Sequence, residues 1–398
     1  MKNRFFRFLS LLLVLTLLIP CLPVPGEAAR NFTRLSGKDR YATSILAADA
    51  LKEVTCTDTF DAIILASGTG FADALAGSYL AAVKGAPIIL VTDSQIPKVT
   101  AYIRENLSDN GTVYLLGGAG AVSRQVEDSL SAYTVRRLSG ANRYATNLAI
   151  LEEAGLGSGE VLIATGKGFA DSLSASAVGR PILLVGDALT AEQEALLAKS
   201  SGEFVIIGGT GAVSSAIEEK LAAMGNVTRL SGANRYQTSK MVAFHFFRWP
   251  TQLVLAYAQN FPDGLSGGPL AYALGAPLML TTNGNEADAS GYAFHNHISQ
   301  GYVLGGQGLI SDETANAIFV YADDCWDNDR DHFCDDCGEK LSECADGSRD
   351  HLCDFCGAVL SECADYSWDH ICDYCYQRID ACYNEDGDHF CDVCGTRT

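Results

Sequence analysis

Short apolar runs alternate with amphipathic segments along most of the chain, and this alternation predicts an α/β architecture. In the first third, the runs DAIILASG, PIILVTD and TVYLLGG read as buried strands. The segments between and after them have helical spacing, and Ser123 is placed to cap the helix in AVSRQVEDSLSAY. Because strand and helix alternate throughout, we expect mainly parallel sheets with helices on both faces.

The same pattern occurs three times. The block RLSGKDRY or RLSGANRY begins at Arg34, Arg137 and Arg229, and three further similar blocks follow it each time in the same order. The interval is roughly 90 to 100 residues, which indicates an internal repeat. Three homologous, Rossmann-like repeats are predicted, at residues 31–133, 134–224 and 225–321. The second copy is four residues shorter after Asp171, so its first helix should be about one turn shorter.

Residues 1–28 have the pattern of a secretory signal peptide. Three basic residues precede a long apolar run, and the small residues Gly26 and Ala28 follow it. We expect cleavage near Ala28, because the run is shorter than the ~20 residues that a spanning helix needs. An uncleaved anchor and lipid attachment at Cys21 are the alternatives. Export without a membrane segment in the mature chain is therefore the expectation.

Charge and cysteine divide the chain near Tyr321. From Asp323 onward there are 21 acidic and 5 basic residues, a net charge of −16, which leaves −4 of the total −20 for everything before. Twelve of the 14 cysteines also lie in this last part. An acidic protein is poorly suited to neutralising phosphates, so nucleic acid is not expected as a partner.

The segment 322–398 contains four copies of C-x6-H-x-C-x2-C. Each copy offers three thiolates and one imidazole, the ligand set of a tetrahedral structural zinc site, and so short a unit needs a metal or a crosslink to hold it. We expect about one zinc per repeat; disulfides, which secretion favours, and calcium are the alternatives. The predicted zinc ligands are Cys325, His332, Cys334, Cys337, Cys344, His351, Cys353, Cys356, Cys363, His370, Cys372, Cys375, Cys382, His389, Cys391 and Cys394.

An Arg-Tyr pair and an Asp recur in all three repeats. Each Asp stands where a strand ends and a helix begins, so it would cap the helix or complement its dipole. Each Arg would make a forked salt bridge to such a carboxylate, or Arg and Tyr would face a groove and bind a polymer. No catalytic triad and no complete nucleotide fingerprint is visible in the repeats. The recurring residues are Arg40, Tyr41, Asp73, Arg143, Tyr144, Asp171, Arg235, Tyr236 and Asp263.

Together, RLSGxxRYxT, GFADALA, PILL and LLGGxGAVS resemble the type 2 cell wall-binding repeat family of Gram-positive bacteria, over about three quarters of the chain. The resemblance implies three repeats about a pseudo-threefold axis that anchor a protein non-covalently to anionic cell-wall polymer. The family's apolar motif linked to anchoring matches Ile182, Leu183 and Leu184 best. From the pattern alone these three residues form a buried strand, so folding or repeat packing is the other role open to them.

These observations predict a secreted, non-catalytic protein of the cell wall or cell surface that displays a zinc-binding tail, with a protein partner possible for the acidic tail. The alternative is a wall-modifying enzyme, or an amidase partner, that the repeats target to the wall. Because the repeats are slightly acidic, an anionic polymer would need arginines that converge locally in clefts or cations that bridge the two.

Overall fold

The computed structural model describes residues 31–319, so the predicted signal peptide and nearly all of the cysteine tail lie outside it. The strands in this range are β1 Phe32–Leu35, β2 Phe60–Ser67, β3 Ile88–Val91, β4 Leu107–Leu116, β5 Thr134–Leu138, β6 Val161–Thr165, β7 Ile182–Val185, β8 Glu203–Ile207, β9 Asn226–Leu230, β10 Leu253–Tyr257, β11 Leu278–Thr281 and β12 Gly301–Leu304. The α-helices are α1 Arg40–Thr55, α2 Ala72–Lys84, α3 Ile96–Asn106, α4 Arg124–Asp128, α5 Arg143–Ala154, α6 Ala170–Ala175, α7 Ala191–Leu197, α8 Ser215–Ala222, α9 Arg235–Phe246, α10 Pro262–Leu274, α11 Ala287–His295 and α12 Asp312–Ile318.

The strands of the described range form three four-stranded sheets, and every pairing in them is parallel. The orders are β3-β2-β4-β5, β7-β6-β8-β9 and β11-β10-β12-β1, which are the same arrangement repeated. This confirms the prediction of three parallel α/β repeats. None of the helices in residues 31–319 is long and apolar enough to cross a membrane.

Each RLSG block contributes its strand to the sheet of the preceding copy. Thus β5 pairs with β4, and β9 pairs with β8. The strand of the first copy, β1, pairs with β12 of the third copy, with Leu35 opposite Leu304. The three sheets are therefore joined in a ring. The sheets divide the chain at other points than the sequence repeat does, because one strand per copy is exchanged.

Both faces of each sheet are buried, which explains the continuous apolar runs in the sequence. In β2, Ile64 and Ala66 face a core that all three sheets share. The alternate residues Ile63 and Leu65 face a second cluster that is private to the first sheet. The other two sheets have equivalent private clusters. The shared core lies at the centre of the ring, so side chains from all three copies pack together there.

The helices that follow the RLSG blocks lie at the boundaries between copies. Helix α1 packs against α10, α5 against α2, and α9 against α6, which is a cyclic pattern. Each of them also bonds the outer strand of its own sheet. The buried Asn147 side chain donates to the carbonyl of Ile182 at 2.9 Å and accepts from the amide of Leu184 at 2.8 Å. Ser44 and Ser239 accept from the matching amides in the other copies.

The helix that contains Asp171 in the second copy is shorter than its counterparts, as predicted, and by more than one turn. Helix α6 has 6 residues, whereas α2 and α10 have 13 each. The difference exceeds the four missing residues because the chain after α6 tightens. Ser176 donates to the carbonyl of Leu173, and Val178 to that of Ala175, which are three-residue turns rather than α-helical bonds.

Candidate functional site

The recurring arginines are the first residues of α1, α5 and α9, and the residue before each one caps the helix. The Asp39 side chain accepts from the amide of Ala42, and Asn142 and Asn234 each accept from two amides of the first turn. These caps explain the Asp or Asn before each Arg-Tyr pair, a signal that sequence reasoning missed. They fix the start of the helix, and so they fix where each arginine leaves the backbone.

Each of these arginines bonds the residue that directly follows the second strand of its own copy, which is β2, β6 or β10. The Nη1 atom of Arg40 donates to the Gly68 carbonyl at 2.7 Å, and Nη1 of Arg143 donates to the Gly166 carbonyl at 2.6 Å. Arg235 makes the same bond to Ala258 at 2.6 Å. These guanidinium groups therefore bond carbonyls, and they do not form the forked salt bridge that the sequence suggested.

The recurring aspartates face the arginines of the neighbouring copy. Asp73 attracts Arg143, Asp171 attracts Arg235, and the ring closes where Asp263 attracts Arg40. Burial raises the pKa of all three carboxyls, and the facing arginine partly opposes that rise. Among the ion pairs within residues 31–319, none joins one of these aspartates to its arginine. The Asp is the second residue of its helix and not the N-cap.

Three phenylalanines bring the copies together at one point. The rings of Phe71, Phe169 and Phe261 contact one another in all three pairings, with centroids 5.6 to 6.1 Å apart. Arg143 lies 5.3 Å over Phe71, and Arg235 lies 5.6 Å over Phe169. The rings are only half-buried. We call the three phenylalanines, with the three aspartates and three arginines around them, the threefold junction.

Each copy has a double-glycine turn that packs against a junction aspartate. The turns are Gly117-Gly118, Gly208-Gly209 and Gly305-Gly306. At Gly117, Gly208 and Gly305 the backbone has φ of 94°, 108° and 93°, a conformation that favours glycine. A side chain at Gly117 would collide with the carboxylate of Asp73, and the other two glycines face Asp171 and Asp263 in the same way. The glycines are thus explained by tight packing around the carboxylates, without a phosphate ligand.

The recurring tyrosines pack inward. The ring of Tyr41 lies against Gly68, and the ring of Tyr144 lies against Gly166, so closely that a side chain at either glycine would overlap it. The Tyr236 hydroxyl is 3.0 Å from the Thr282 hydroxyl. All three tyrosines are half-buried. Their packing supports the helix that carries the arginine.

A second set of arginines, in the RLSG blocks themselves, makes the forked salt bridges. Arg137 binds Glu127 through Nε and Nη2 at 3.3 and 3.0 Å, and its Nη1 donates to two backbone carbonyls. Arg229 binds Glu218 and Arg34 binds Asp312 in the same manner. Sequence reasoning missed this set, although the arginine recurs in every RLSG block. These side chains fasten the exchanged strand to its host sheet.

The residues of the apolar motif are inaccessible from outside. Ile182, Leu183 and Leu184 form most of β7, and their exposed fractions are 1%, 0% and 0%. Ile182 and Leu184 face the shared core, and Leu183 faces the private cluster of the second sheet. Their side chains therefore act through packing between and within copies.

Metal ligation is not indicated in the described part of the chain. Residues 31–319 hold no group of three or more His, Cys, Asp or Glu side chains that could bind a metal ion. The sixteen predicted zinc ligands in the tail lie outside the described residues, and so does the predicted signal peptide.

Comparison with known proteins identifies the family of this chain. The model of the family described as cell wall binding domain 2 (CWB2) matches residues 34–127, 137–218 and 229–315. The chain belongs to this family. The three matched segments are the three repeats, and membership places the protein at the cell wall or cell surface.

Relatives of this CWB2 protein include an amidase and an amidase enhancer. It is 25% identical over 306 residues to N-acetylmuramoyl-L-alanine amidase LytC of Bacillus subtilis, covering 74% of this chain and 60% of the amidase. It is 26% identical over 302 residues to the amidase enhancer of the same organism, covering 74% and 41%. Among solved structures, Cwp8 from Clostridium difficile has 30% identity and a TM-score of 0.65, covering 72% of this chain and 52% of that one. The chain thus spans about two fifths to three fifths of these relatives.

Proposed function

We propose that this protein is a non-catalytic surface protein that its three CWB2 repeats hold non-covalently on an anionic cell-wall polymer. The observation that carries the proposal is the convergence of Arg40, Arg143 and Arg235 on one threefold junction. Three equivalent cations around one axis suit a polymer that presents several anionic groups to one face.

The guanidinium groups of the junction have donors to spare. Each uses Nη1 for a carbonyl, and a guanidinium has five N–H donors. Arg143 and Arg235 are exposed, and Arg40 is half-exposed. The remaining donors have the planar fork that binds phosphate or carboxylate. Local convergence of arginines therefore offers an account of anion binding by repeats whose own net charge is −7, from 19 basic and 26 acidic residues in 31–321.

Binding to purified walls tests the proposal. The mature protein is mixed with protein-free walls, or with the same walls after chemical removal of their anionic polymers, and the bound fraction is measured at increasing salt. We expect retention on intact walls, loss on stripped walls, and weaker binding at high salt because the contacts are ionic. No retention, or equal retention on both preparations, would contradict the proposal.

A second candidate function is that of an amidase partner, which the similarity to the amidase enhancer favours. This candidate and the first share the wall-binding step and differ in catalysis. Zymography separates them: gels that contain walls are loaded with the protein alone, with an amidase alone, and with both. A clearing band from the protein alone, or a stronger band from the mixture, would favour a role in wall hydrolysis over a purely anchored protein.

For the tail, we infer one zinc per C-x6-H-x-C-x2-C repeat. The support is the complete ligand set in each of four repeats, together with a unit length too short for an apolar core. Native mass spectrometry of the full chain with and without chelator tests this inference. A mass excess of four zinc ions that chelator removes is expected, whereas a mass deficit from oxidised thiols would indicate disulfides instead.

A further inference from the structure

A cavity of about 170 Å³ opens in the first copy at the carboxyl ends of β2, β3 and β4. Its polar lining includes Ser67, Thr69, Asp93 and Ser123, and Val126 forms part of its apolar lining. In open parallel sheets, ligands bind at this edge, where successive connections leave a strand in opposite directions. Strand β2 is such a point, because β3 lies on one side of it and β4 on the other.

The polar groups of the cavity are already organised. The Ser123 hydroxyl donates to the carboxylate of Asp93. The hydroxyls of Ser67 and Thr69 are 2.9 Å apart, and the amide of Thr69 donates to the Ser67 hydroxyl at 3.2 Å. These bonds hold three hydroxyls and one carboxylate around the same space, and such preorganisation lowers the cost of binding a polar ligand.

At the equivalent place in the second copy, a lysine pairs with the aspartate. Lys167 stands where the first copy has Thr69, and it forms an ion pair with Asp187, the counterpart of Asp93. In the third copy the two positions are Gln259 and Asn283. Only the first copy therefore combines a short side chain with a carboxylate that has no cation on it. The three copies share a fold and differ at this edge.

The lining favours a neutral ligand rich in hydroxyls. A carboxylate only accepts hydrogen bonds, and no Lys, Arg or His lines the cavity, so a phosphate group would be repelled by Asp93. The volume corresponds to about five or six waters at roughly 30 Å³ each and is smaller than cavities for drug-sized ligands. A single sugar ring matches both the donors and the size.

We propose that this cavity is a subsite for one neutral sugar unit of the wall polymer, whose hydroxyls donate to Asp93 and exchange hydrogen bonds with Ser67, Thr69 and Ser123. The proposal rests on the proposed function, since it assigns neutral units of the same polymer to the first copy and anionic groups to the threefold junction. It also gives the copies unequal roles, because the first copy alone would bind the neutral sugar.

The test introduces the lysine of the second copy into the first. The variant Thr69→Lys should place an ammonium on Asp93, as Lys167 does on Asp187, and fill the cavity. The matched control is Gln259→Lys, the same change at the equivalent position of the third copy. The probe is the neutral oligosaccharide that hydrofluoric acid releases from purified walls by cleaving phosphodiesters. Calorimetry on the full chain should show at least tenfold weaker binding for Thr69→Lys and no change for Gln259→Lys.

Thermal unfolding of each variant accompanies the titration. If Thr69→Lys lowers the unfolding midpoint, the loop variant Ala119→Leu, which narrows the cavity without adding charge, must reproduce the loss of oligosaccharide binding; full binding by Ala119→Leu would then overturn the proposal. Equal binding by Thr69→Lys and the wild type overturns it as well.

Two further arms separate the possible sources of failure. If the wild type is retained on intact walls but does not bind the neutral oligosaccharide, the subsite is wrong and wall anchoring stands. If the wild type is not retained on walls either, the proposed function fails together with the subsite. A free monosaccharide that is absent from the wall polymer and binds more tightly than the oligosaccharide would identify a soluble sugar as the ligand and contradict the assignment to polymer.

Discussion

At the scale of residues, the repeats contain two sets of arginines with different environments. Each arginine of the RLSG blocks forms a salt bridge to a carboxylate and also donates to at least one backbone carbonyl. These arginine side chains are largely buried. The arginines that begin α1, α5 and α9 keep most of their donors and face a carboxylate across a copy boundary. Sequence spacing cannot separate the sets, because pairing depends on which strand is exchanged.

The first set should contribute to stability. In Arg137→Ala, Glu127 and two carbonyls lose their donors, and the expected cost is about 1–3 kcal/mol of unfolding free energy, the range for hydrogen bonds to charged groups on a partly exposed site. Urea unfolding measures it. The control is Arg104→Ala, whose salt bridge to Glu105 is exposed and should contribute little. Equal losses in both variants would contradict this account.

The junction aspartates should make stability depend on pH. Burial raises the folded-state pKa of Asp73, Asp171 and Asp263 above the ordinary value of 3.8. Folding therefore favours their protonated form, so this contribution to stability is fully present below the ordinary pKa and is lost as pH rises through the folded pKa. The triple Asp→Asn variant should equal the wild type in acid and exceed it near pH 7. Urea unfolding at several pH values measures the difference.

A contrary result would also be informative about the junction. If the triple Asp→Asn variant is less stable than the wild type near pH 7, the attraction between each aspartate and its arginine outweighs the desolvation of the carboxylate. The aspartates would then act mainly as locks between copies, which is the other role that the sequence left open.

At the scale of elements, the sequence was sufficient for the existence and order of strands and helices. Continuous apolar runs identified the buried strands, and Ser123 is indeed the cap of α4, where it accepts from the amide of Val126. Which sheet receives β1, β5 or β9 could not be predicted, because a parallel strand has the same apolar pattern in either sheet. The phenylalanine contacts depend on that same long-range arrangement.

The stability of the fold should be especially sensitive to loss of the two hydrogen bonds between the buried Asn147 side chain and β7, which we call the β7 clamp. Asn147→Ala leaves the carbonyl of Ile182 and the amide of Leu184 without their partner, at an expected cost of about 2–4 kcal/mol. Asn147→Ser should recover part of this, because Ser44 and Ser239 serve the amide in the other copies. Chemical denaturation of both variants gives the comparison, and equal stability of Asn147→Ala and the wild type would refute the clamp.

At the scale of the whole molecule, the ring closes through a short strand far from its partner in sequence. Strand β1 completes the third sheet, and Phe32 stacks on Phe319 with centroids 5.9 Å apart. The internal repeat predicted three units but not their circular exchange of strands, because closure is visible only where the first strand pairs with the last sheet. One shared core then follows from the exchange.

Deleting β1 should therefore destabilise the third sheet, because it exposes the edge of β12 and removes Phe32 from its cluster. A chain that begins at Gly37 should unfold at lower urea and self-associate in size-exclusion chromatography. A circular permutant that carries residues 31–36 after Phe319 on a short linker should recover stability. Failure of the permutant while the deletion remains stable would show that closure is dispensable.

The central claim is that the junction arginines bind anionic wall polymer. The most direct measurement compares the retention on purified walls of the wild type, the triple variant Arg40→Gln, Arg143→Gln, Arg235→Gln, and a control with Arg104, Arg124 and Arg248 changed to Gln on the exposed surface. The account predicts at least tenfold weaker binding for the junction variant at a temperature at which thermal unfolding shows it to be folded, and near wild-type binding for the control. Equal loss in both variants, or full retention of the junction variant, would contradict it.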